Sequence, residues 1–215
     1  MNSLTVKSPA KVNLFLKITG KRSDGYHTLL TLFHRISLVD VLTLKKIPSG
    51  IKIKSNIKNL PTDSRNIIWK ALDAVEKMCP LKGGVSVTIK KQIPIGGGMG
   101  GGSSNAASFI LSLKRLYKLK ISRKMLYKIG SKLGADVNFF LADVNQALGS
   151  GTGNQIKPIP CSEKLWFVIV TMPKALLTSK VYRSLDLKAP ARPSEAAPRG
   201  GGGGSRPWRE IRPLP

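Results

Sequence analysis

Cysteine and histidine are scarce in this chain of 215 residues, with two of each. Cys79 and Cys161 lie far apart, with no CxxC pair and no Cys/His cluster. That excludes a zinc-type site, and it gives no basis for a disulfide in what reads as a cytoplasmic protein. Acidic residues are also few, 11 against 36 lysines and arginines, for a net charge of +25. Aromatic residues make up 6 %. So sparse a set does not supply the stacking platforms that single-strand nucleic-acid binders need. Long apolar runs are missing from the start of the chain, where Lys7, Lys11, Asn13 and Lys17 interrupt the first twenty residues. No signal peptide, plastid address or transmembrane helix is legible there, and an uncleaved cytoplasmic start is expected.

What is present is an ordinary globular composition, 41 % hydrophobic, with an excess of lysine. The lysines run from Lys7 to Lys188 without gathering into one block. They read as a solvated surface that also attracts phosphate-bearing small molecules, and they argue against a nucleic-acid partner. Composition breaks after Lys188. Residues 1–188 hold 25 lysines and 6 arginines, whereas 189–215 hold no lysine, 5 arginines, six prolines and the glycine run 200–204. The tail cannot bury enough apolar surface to offset its ordering entropy, so disorder is predicted for 189–215. The switch in basic residue suggests a tail foreign to the body.

Periodicity organises the body. Alternation predicts strands around 11–18, 30–38, 41–46 and 51–57, with Asp40 read as a turn between the second and third. Ile67, Ile68, Ala71, Leu72 and Val75 take helical spacing, ended before Pro80. A strand over 85–89 leads into a glycine-rich loop. Ser103 or Ser104 is expected to cap the helix that follows, with Phe109, Ile110, Leu113, Leu116 and Tyr117 on its apolar face. Ser122 caps another helix, and Asp136 opens a short apolar segment. A buried strand over 165–171 and a short helix over 178–185 complete the series. Strands first and helices later give an α+β class rather than a doubly wound sheet.

The informative stretch runs Lys91-Gln92-Ile93-Pro94-Ile95-Gly96-Gly97-Gly98-Met99-Gly100-Gly101-Gly102-Ser103-Ser104-Asn105-Ala106-Ala107. Glycines let a backbone approach a ligand and adopt positive φ. Consecutive amides can then cradle an anion, and the following helix adds its free N-terminal NH groups. That is a triphosphate site made of main chain, with Ser103 and Ser104 adding hydroxyls. No Gly-Lys-Ser/Thr follows, so it is not a P-loop, and it lacks the context of a dinucleotide fingerprint. A flexible glycine linker is the alternative, but a linker would not join a strand to an amphipathic helix.

This loop resembles the second motif of the GHMP kinases (galactokinase, homoserine kinase, mevalonate kinase, phosphomevalonate kinase), with Met99 in place of the usual leucine and Asn105 before the alanine. Three further segments carry the resemblance: Ser8-Pro9-Ala10-Lys11-Val12-Asn13-Leu14-Phe15-Leu16, Arg22-Ser23-Asp24-Gly25-Tyr26-His27-Thr28-Leu29 and Leu133-Gly134-Ala135-Asp136-Val137-Asn138-Phe139-Phe140. Together they are most similar to the branch that phosphorylates a cytidine-diphosphate-linked sugar alcohol for non-mevalonate isoprenoid synthesis. The resemblance covers about residues 3–188 and implies a GHMP N-terminal domain over 1–160, of ribosomal-protein-like fold. A ferredoxin-like C-terminal domain would begin over 161–188 and be largely missing.

The resemblance also implies roles. Asp136 matches the base that takes the hydroxyl proton; an Asp after Gly-Ala would otherwise be a helix N-cap. Lys11 matches the lysine that stabilises charge on the transferring phosphoryl, where a strand lysine would otherwise face solvent. Asn13, one pleat further on the same face, is expected to bind the substrate. Tyr26 and His27 match residues that hold the cytosine, and Thr178 and Tyr182 fit a later substrate segment. Lys91, Pro94, Ile95 and the loop through Ser104 would hold ATP, with Mg²⁺ expected from the nucleotide chemistry but no ligand set identifiable. Gly149-Ser150-Gly151-Thr152-Gly153 comes too early for the family's third motif. Low turnover and poor solubility are therefore expected of the chain as it stands. The rivals are a GHMP kinase for a smaller alcohol and a basic RNA-binding module.

Overall fold

The computed structural model describes residues 1–161 and 163–171. The expected helix over 178–185, Thr178 and Tyr182 within it, and the tail 189–215 lie outside the described residues.

A six-stranded sheet is built around one long strand. β1 (Ser3–Lys21) and β2 (His27–Ile47) form a hairpin paired along nearly its whole length. The other edge of β2 is shared. Its Thr31–His34 stretch pairs with β5 (Gln146–Ser150), and its Val41–Ile47 stretch pairs with β4 (Gly84–Lys90). Between these two partners the β2 edge has no ladder among the described residues. β3 (Ile51–Ser55) pairs parallel with β4, and β6 (Gln155–Pro158) pairs antiparallel with β5. The parallel pair needs a crossover, which α1 (Ile67–Glu76) supplies.

Ile53, Val85, Val87 and Ile89 point from β3 and β4 into the core, while Lys52, Lys54, Thr88 and Lys90 are exposed. This is the one-sided burial expected of a largely antiparallel sheet. Helices cover the buried face: α1, α2 (Gly101–Leu116), α3 (Arg123–Leu133) and α4 (Val137–Ala142). α2 is central, with Ala106, Ala107, Phe109, Ile110 and Leu113 fully buried between the sheet and its neighbour helices. α3 is capped by Ser122, whose hydroxyl accepts from the Met125 amide, as its sequence predicts.

Four expectations are corrected. Asp40 is no turn: β2 runs straight through it and buries it completely. Helix α2 starts at Gly101, so Ser103 and Ser104 lie inside its first turn; its N-cap is Gly100 in the left-handed region, with no side-chain capping bond. On β1 the expected alternation is not kept: Lys11 is buried, whereas Leu14, Phe15, Leu16 and Lys17 are all exposed. The β1–β2 ladder shifts register at Pro9/Lys11, Asn13/Phe15 and Ile18/Gly20, so no single alternation runs the length of the strand. Residues 165–171 form no strand, and Trp166 is 82 % exposed. A strand needs a ladder partner, and none runs beside this segment among the described residues.

Candidate active site

The site is assembled at one end of the sheet, where β4 gives way to the loop 91–100 and the loop gives way to α2. Three glycines of that loop take positive φ, Gly96 (75°), Gly98 (72°) and Gly100 (68°). The loop winds back on itself and delivers the chain to the start of α2. The Ser104 amide is the first to bond within the helix, to the Gly100 carbonyl at 2.8 Å. The amides of Gly101, Gly102 and Ser103 precede it, without intrahelical partners, and this end of the helix carries the positive end of its dipole. Met99 is buried and anchors the loop from within, while Ile95, Gly96, Gly97 and Gly98 are exposed.

The loop is tied to β1 at Lys11, whose amide donates to the Met99 carbonyl at 3.0 Å. Gly100 lies directly on the Lys11 side chain: a Cβ there would stand 3.2 Å from Lys11 Cγ and 3.0 Å from Phe140 Cε2. Only glycine allows this approach with this backbone. The Lys11 ammonium then sits 3.4 Å from Asp136 Oδ2, the lysine side chain 6 % exposed and the aspartate 29 %. Asp136 occupies the N-cap position of α4 but makes no capping bond, so its carboxylate is turned toward Lys11 and solvent instead. Ser103 joins from α2, since a Cβ on Gly134 would lie 3.6 Å from its hydroxyl.

Lys11 is held in place by a chain of hydrogen bonds. Its ammonium donates to Asn13 Oδ1 at 2.6 Å, the Asn13 amide donates to Thr31 Oγ1 at 2.6 Å, and the Thr31 hydroxyl donates to the Phe15 carbonyl at 2.7 Å. Phe33 supports it from below, with its ring 5.6 Å from the ammonium and stacked on Phe139 at 4.9 Å. Thr31 was not singled out from sequence; a buried threonine on a strand gives no signal until its partner is known.

The remaining expected residues are placed as follows. Asn13 joins the cluster. Tyr26 (67 % exposed) and His27 stand at the tip of the β1–β2 hairpin, His27 in the last pair with Lys21 and Tyr26 just beyond it, apart from Lys11 and Asp136. Below that tip, Arg22 grips Asp24, which draws the Asp24 carboxyl below its ordinary value, chiefly through the Arg22 hydrogen bonds. Lys91 does not reach the open side of the loop. Its ammonium is turned into the fold and donates to Asp40 Oδ2 at 2.7 Å and to the Ile93 carbonyl at 2.8 Å. A direct phosphate contact would have to break a buried ion pair, so its place is beneath the loop.

Residues 66–144 match the family model for the GHMP kinases N-terminal domain. The chain is 38 % identical over 191 residues to the 4-diphosphocytidyl-2-C-methyl-D-erythritol kinase of Citrifermentans bemidjiense, covering 88 % of this chain and 68 % of that protein. It therefore belongs to the GHMP kinase family. Within that family, the kinase of the same name from Syntrophomonas wolfei is 38 % identical over 185 residues, 86 % of this chain and 65 % of its own length. The chain thus spans about two thirds of the curated relatives it matches. A crystal structure of 4-(cytidine 5'-diphospho)-2C-methyl-D-erythritol kinase superposes with a TM-score of 0.62 at 36 % identity, over 73 % of this chain and 55 % of that one. The mevalonate kinase of Methanococcus jannaschii, at 17 % identity and a TM-score of 0.54 over 74 % of this chain and 56 % of its own, shares the fold. Among the described residues no helix is long and apolar enough to cross a membrane.

Proposed function

We propose that this chain binds ATP on the loop 94–104 and passes the γ-phosphate to the 2-hydroxyl of 4-diphosphocytidyl-2-C-methyl-D-erythritol, the alcohol named in its relatives. One observation carries the reading. Three segments distant in sequence meet around Lys11: the loop through Met99 and Gly100, the ammonium itself, and Asp136. A phosphoryl acceptor, a phosphate cradle and a carboxylate need this proximity, because phosphoryl transfer is catalysed mainly by positioning and charge stabilisation.

The roles follow from the chemistry of each group. The amides between Gly96 and Ser103 hold the phosphates, with Pro94 and Ile95 shaping the rim. Lys11 offsets charge on the transferring group, and Asp136 orients the hydroxyl and takes its proton. Asn13 directs the Lys11 ammonium. Tyr26 and His27, set apart at the hairpin tip, take the cytosine, Tyr26 by stacking. That separation suits an elongated acceptor better than a small alcohol. Thr178 and Tyr182 remain candidates for the other side of the base. Mg²⁺ bound with the nucleotide would neutralise phosphate charge. No group of three potential His, Cys, Asp or Glu ligands exists among the described residues. The phosphates would supply most of the ion's donors, with the Ser103 hydroxyl as a candidate from the first turn of α2.

The test is ATP titration followed by single-turnover transfer from labelled ATP, which reads slow chemistry as well as fast. Transfer should require the cytidyl-linked alcohol and fail with the free alcohol. Asp136→Asn should keep ATP affinity and lower transfer by roughly 10²–10⁴-fold, the range for a general base. Absence of ATP binding, or transfer indifferent to Asp136, refutes the proposal.

A further inference from the structure

Asp40 is completely buried on β2, one residue before the Val41↔Lys90 pair where the β2–β4 ladder ends. Beyond that pair the chain leaves the sheet for the loop, and the amides of Gln92 and Ile93 lose their strand partner. Asp40 Oδ1 replaces it, accepting from Gln92 N at 2.7 Å and Ile93 N at 2.8 Å. Oδ2 accepts from Lys91 Nζ at 2.7 Å and from Asn105 Nδ2 at 2.9 Å. One side chain therefore holds the three residues entering the loop and the first turn of the helix leaving it.

The network continues to the strand of Lys11. Asn105 Nδ2 also donates to Ser8 Oγ at 2.9 Å, and Ser8 donates to Ser104 Oγ at 2.8 Å. Gly101 closes over it: a Cβ there would lie 2.9 Å from Lys91 Nζ and 3.0 Å from Ile93 Cγ2. Both ends of the loop and β1 are thus referred to one carboxylate. A buried ion pair is weak grounds for stability, since an apolar pair of similar volume often serves the fold as well. What an apolar pair cannot supply is an acceptor that holds four donors in fixed directions.

We propose that Asp40 is a positioning residue for the phosphate loop: its carboxylate sets the loop and the first turn of α2 against β1, and so places the amides that meet the nucleotide. This rests on the ATP-binding reading above for its consequence, but not for its geometry.

The test compares Asp40→Asn, Lys91→Met and the double variant by unfolding midpoint, ATP affinity and hydrogen exchange of amides 92–104 without nucleotide. Asparagine at 40 still accepts from Gln92 and Ile93 but turns an NH₂ toward Lys91 and Asn105. Asp40→Asn should weaken ATP binding and accelerate exchange over 92–104, each by about tenfold, the scale of a lost charge-assisted hydrogen bond. Exchange in β3 and α1 should not move. The double variant leaves no buried charge unpaired, so its midpoint should return toward that of the unaltered protein while affinity and exchange stay altered. The proposal is overturned if affinity and exchange in Asp40→Asn match the unaltered protein, or if both recover with the midpoint in the double variant. Should the unaltered chain fail to bind ATP, the kinase reading falls, and the exchange measurement still decides whether Asp40 holds the loop.

Discussion

Replacing Gly100 with alanine separates two demands that the site makes on one residue. The first is backbone: φ is 68°, and an L-residue in the left-handed region costs about 1–2 kcal/mol. The second is space. The added Cβ would stand 3.0 and 3.1 Å from Phe140 Cε2 and Cζ and 3.2 Å from Lys11 Cγ, each closer than ordinary contact. Phe140 cannot retreat freely, being 3 % exposed with its ring 5.2 Å from that of Phe139. Overpacking of this kind costs about 1–3 kcal/mol. The sum is about 2–5 kcal/mol, a large fraction of the roughly 5–15 kcal/mol that holds a domain together. Gly98 is the internal control, since its φ is 72° but a Cβ there meets nothing within 4 Å. Gly98→Ala should therefore show the backbone cost alone. Urea unfolding of both variants gives the difference, expected at about 1–3 kcal/mol, and single-turnover transfer reports whether Lys11 has been pushed away from Asp136. Equal destabilisation by the two substitutions would refute the close-approach argument, as would normal stability in Gly100→Ala.

Asn66→Ala should cost about 1 kcal/mol in denaturant unfolding, because the Asn66 side chain accepts from the Ile68 amide at 2.9 Å as the cap of α1. The Asp63 carboxyl is held down at about 2, against an ordinary 3.8, mainly by hydrogen bonds from the Arg65 side chain and also by the Arg65 amide. A folded value below the unfolded one means that the contribution is present above about pH 4 and lost as pH falls through 2. Unfolding midpoints of Asp63→Asn and the unaltered chain should therefore converge across that window, and divergence on acidification would show the sign to be wrong. Thr31→Val keeps the buried shape but removes the acceptor for Asn13 Nδ2. It should weaken binding of the cytidyl-linked alcohol by about tenfold with ATP affinity unchanged, as titration of each would show.

Much of the fold was legible where one period dominates. The apolar spacing of Ile68, Ala71, Leu72 and Val75 needs no tertiary knowledge, and neither does Ser122 ahead of α3. Legibility failed where partners decide. Gln146–Ser150 and Gln155–Pro158 carry no run of β-branched residues; the first is a strand because β2 offers it an edge from Thr31 to His34, and the second because the first then offers its own edge. The β1 face could not be read past Pro9, since the register shifts from there on are invisible in the sequence and break the alternation. The cap of α2 was misplaced because serine is a strong capping residue and glycine a weak one. The left-handed turn at Gly100 and its contact with Phe140 override that preference.

The site divides along the same line. Residues whose chemistry is local to a motif, the loop glycines, Lys11 and Asp136, stand out as strings. Residues that act by holding others do not. Asp40 between Val39 and Val41 looks like a polar interruption that ends a strand, because an unpaired carboxylate in a core costs several kcal/mol. Four donors from two separate segments remove that objection, and two of them, those of Gln92 and Ile93, are backbone amides that no side-chain pattern can display. Lys91 fails in the opposite direction: next to a phosphate loop a lysine suggests an anion outside, whereas the available carboxylate is inside and is reached first. A charged residue flanking a glycine-rich loop is therefore ambiguous between ligand contact and scaffold until its counter-charge is located, and here the counter-charge lies 51 positions earlier in the chain.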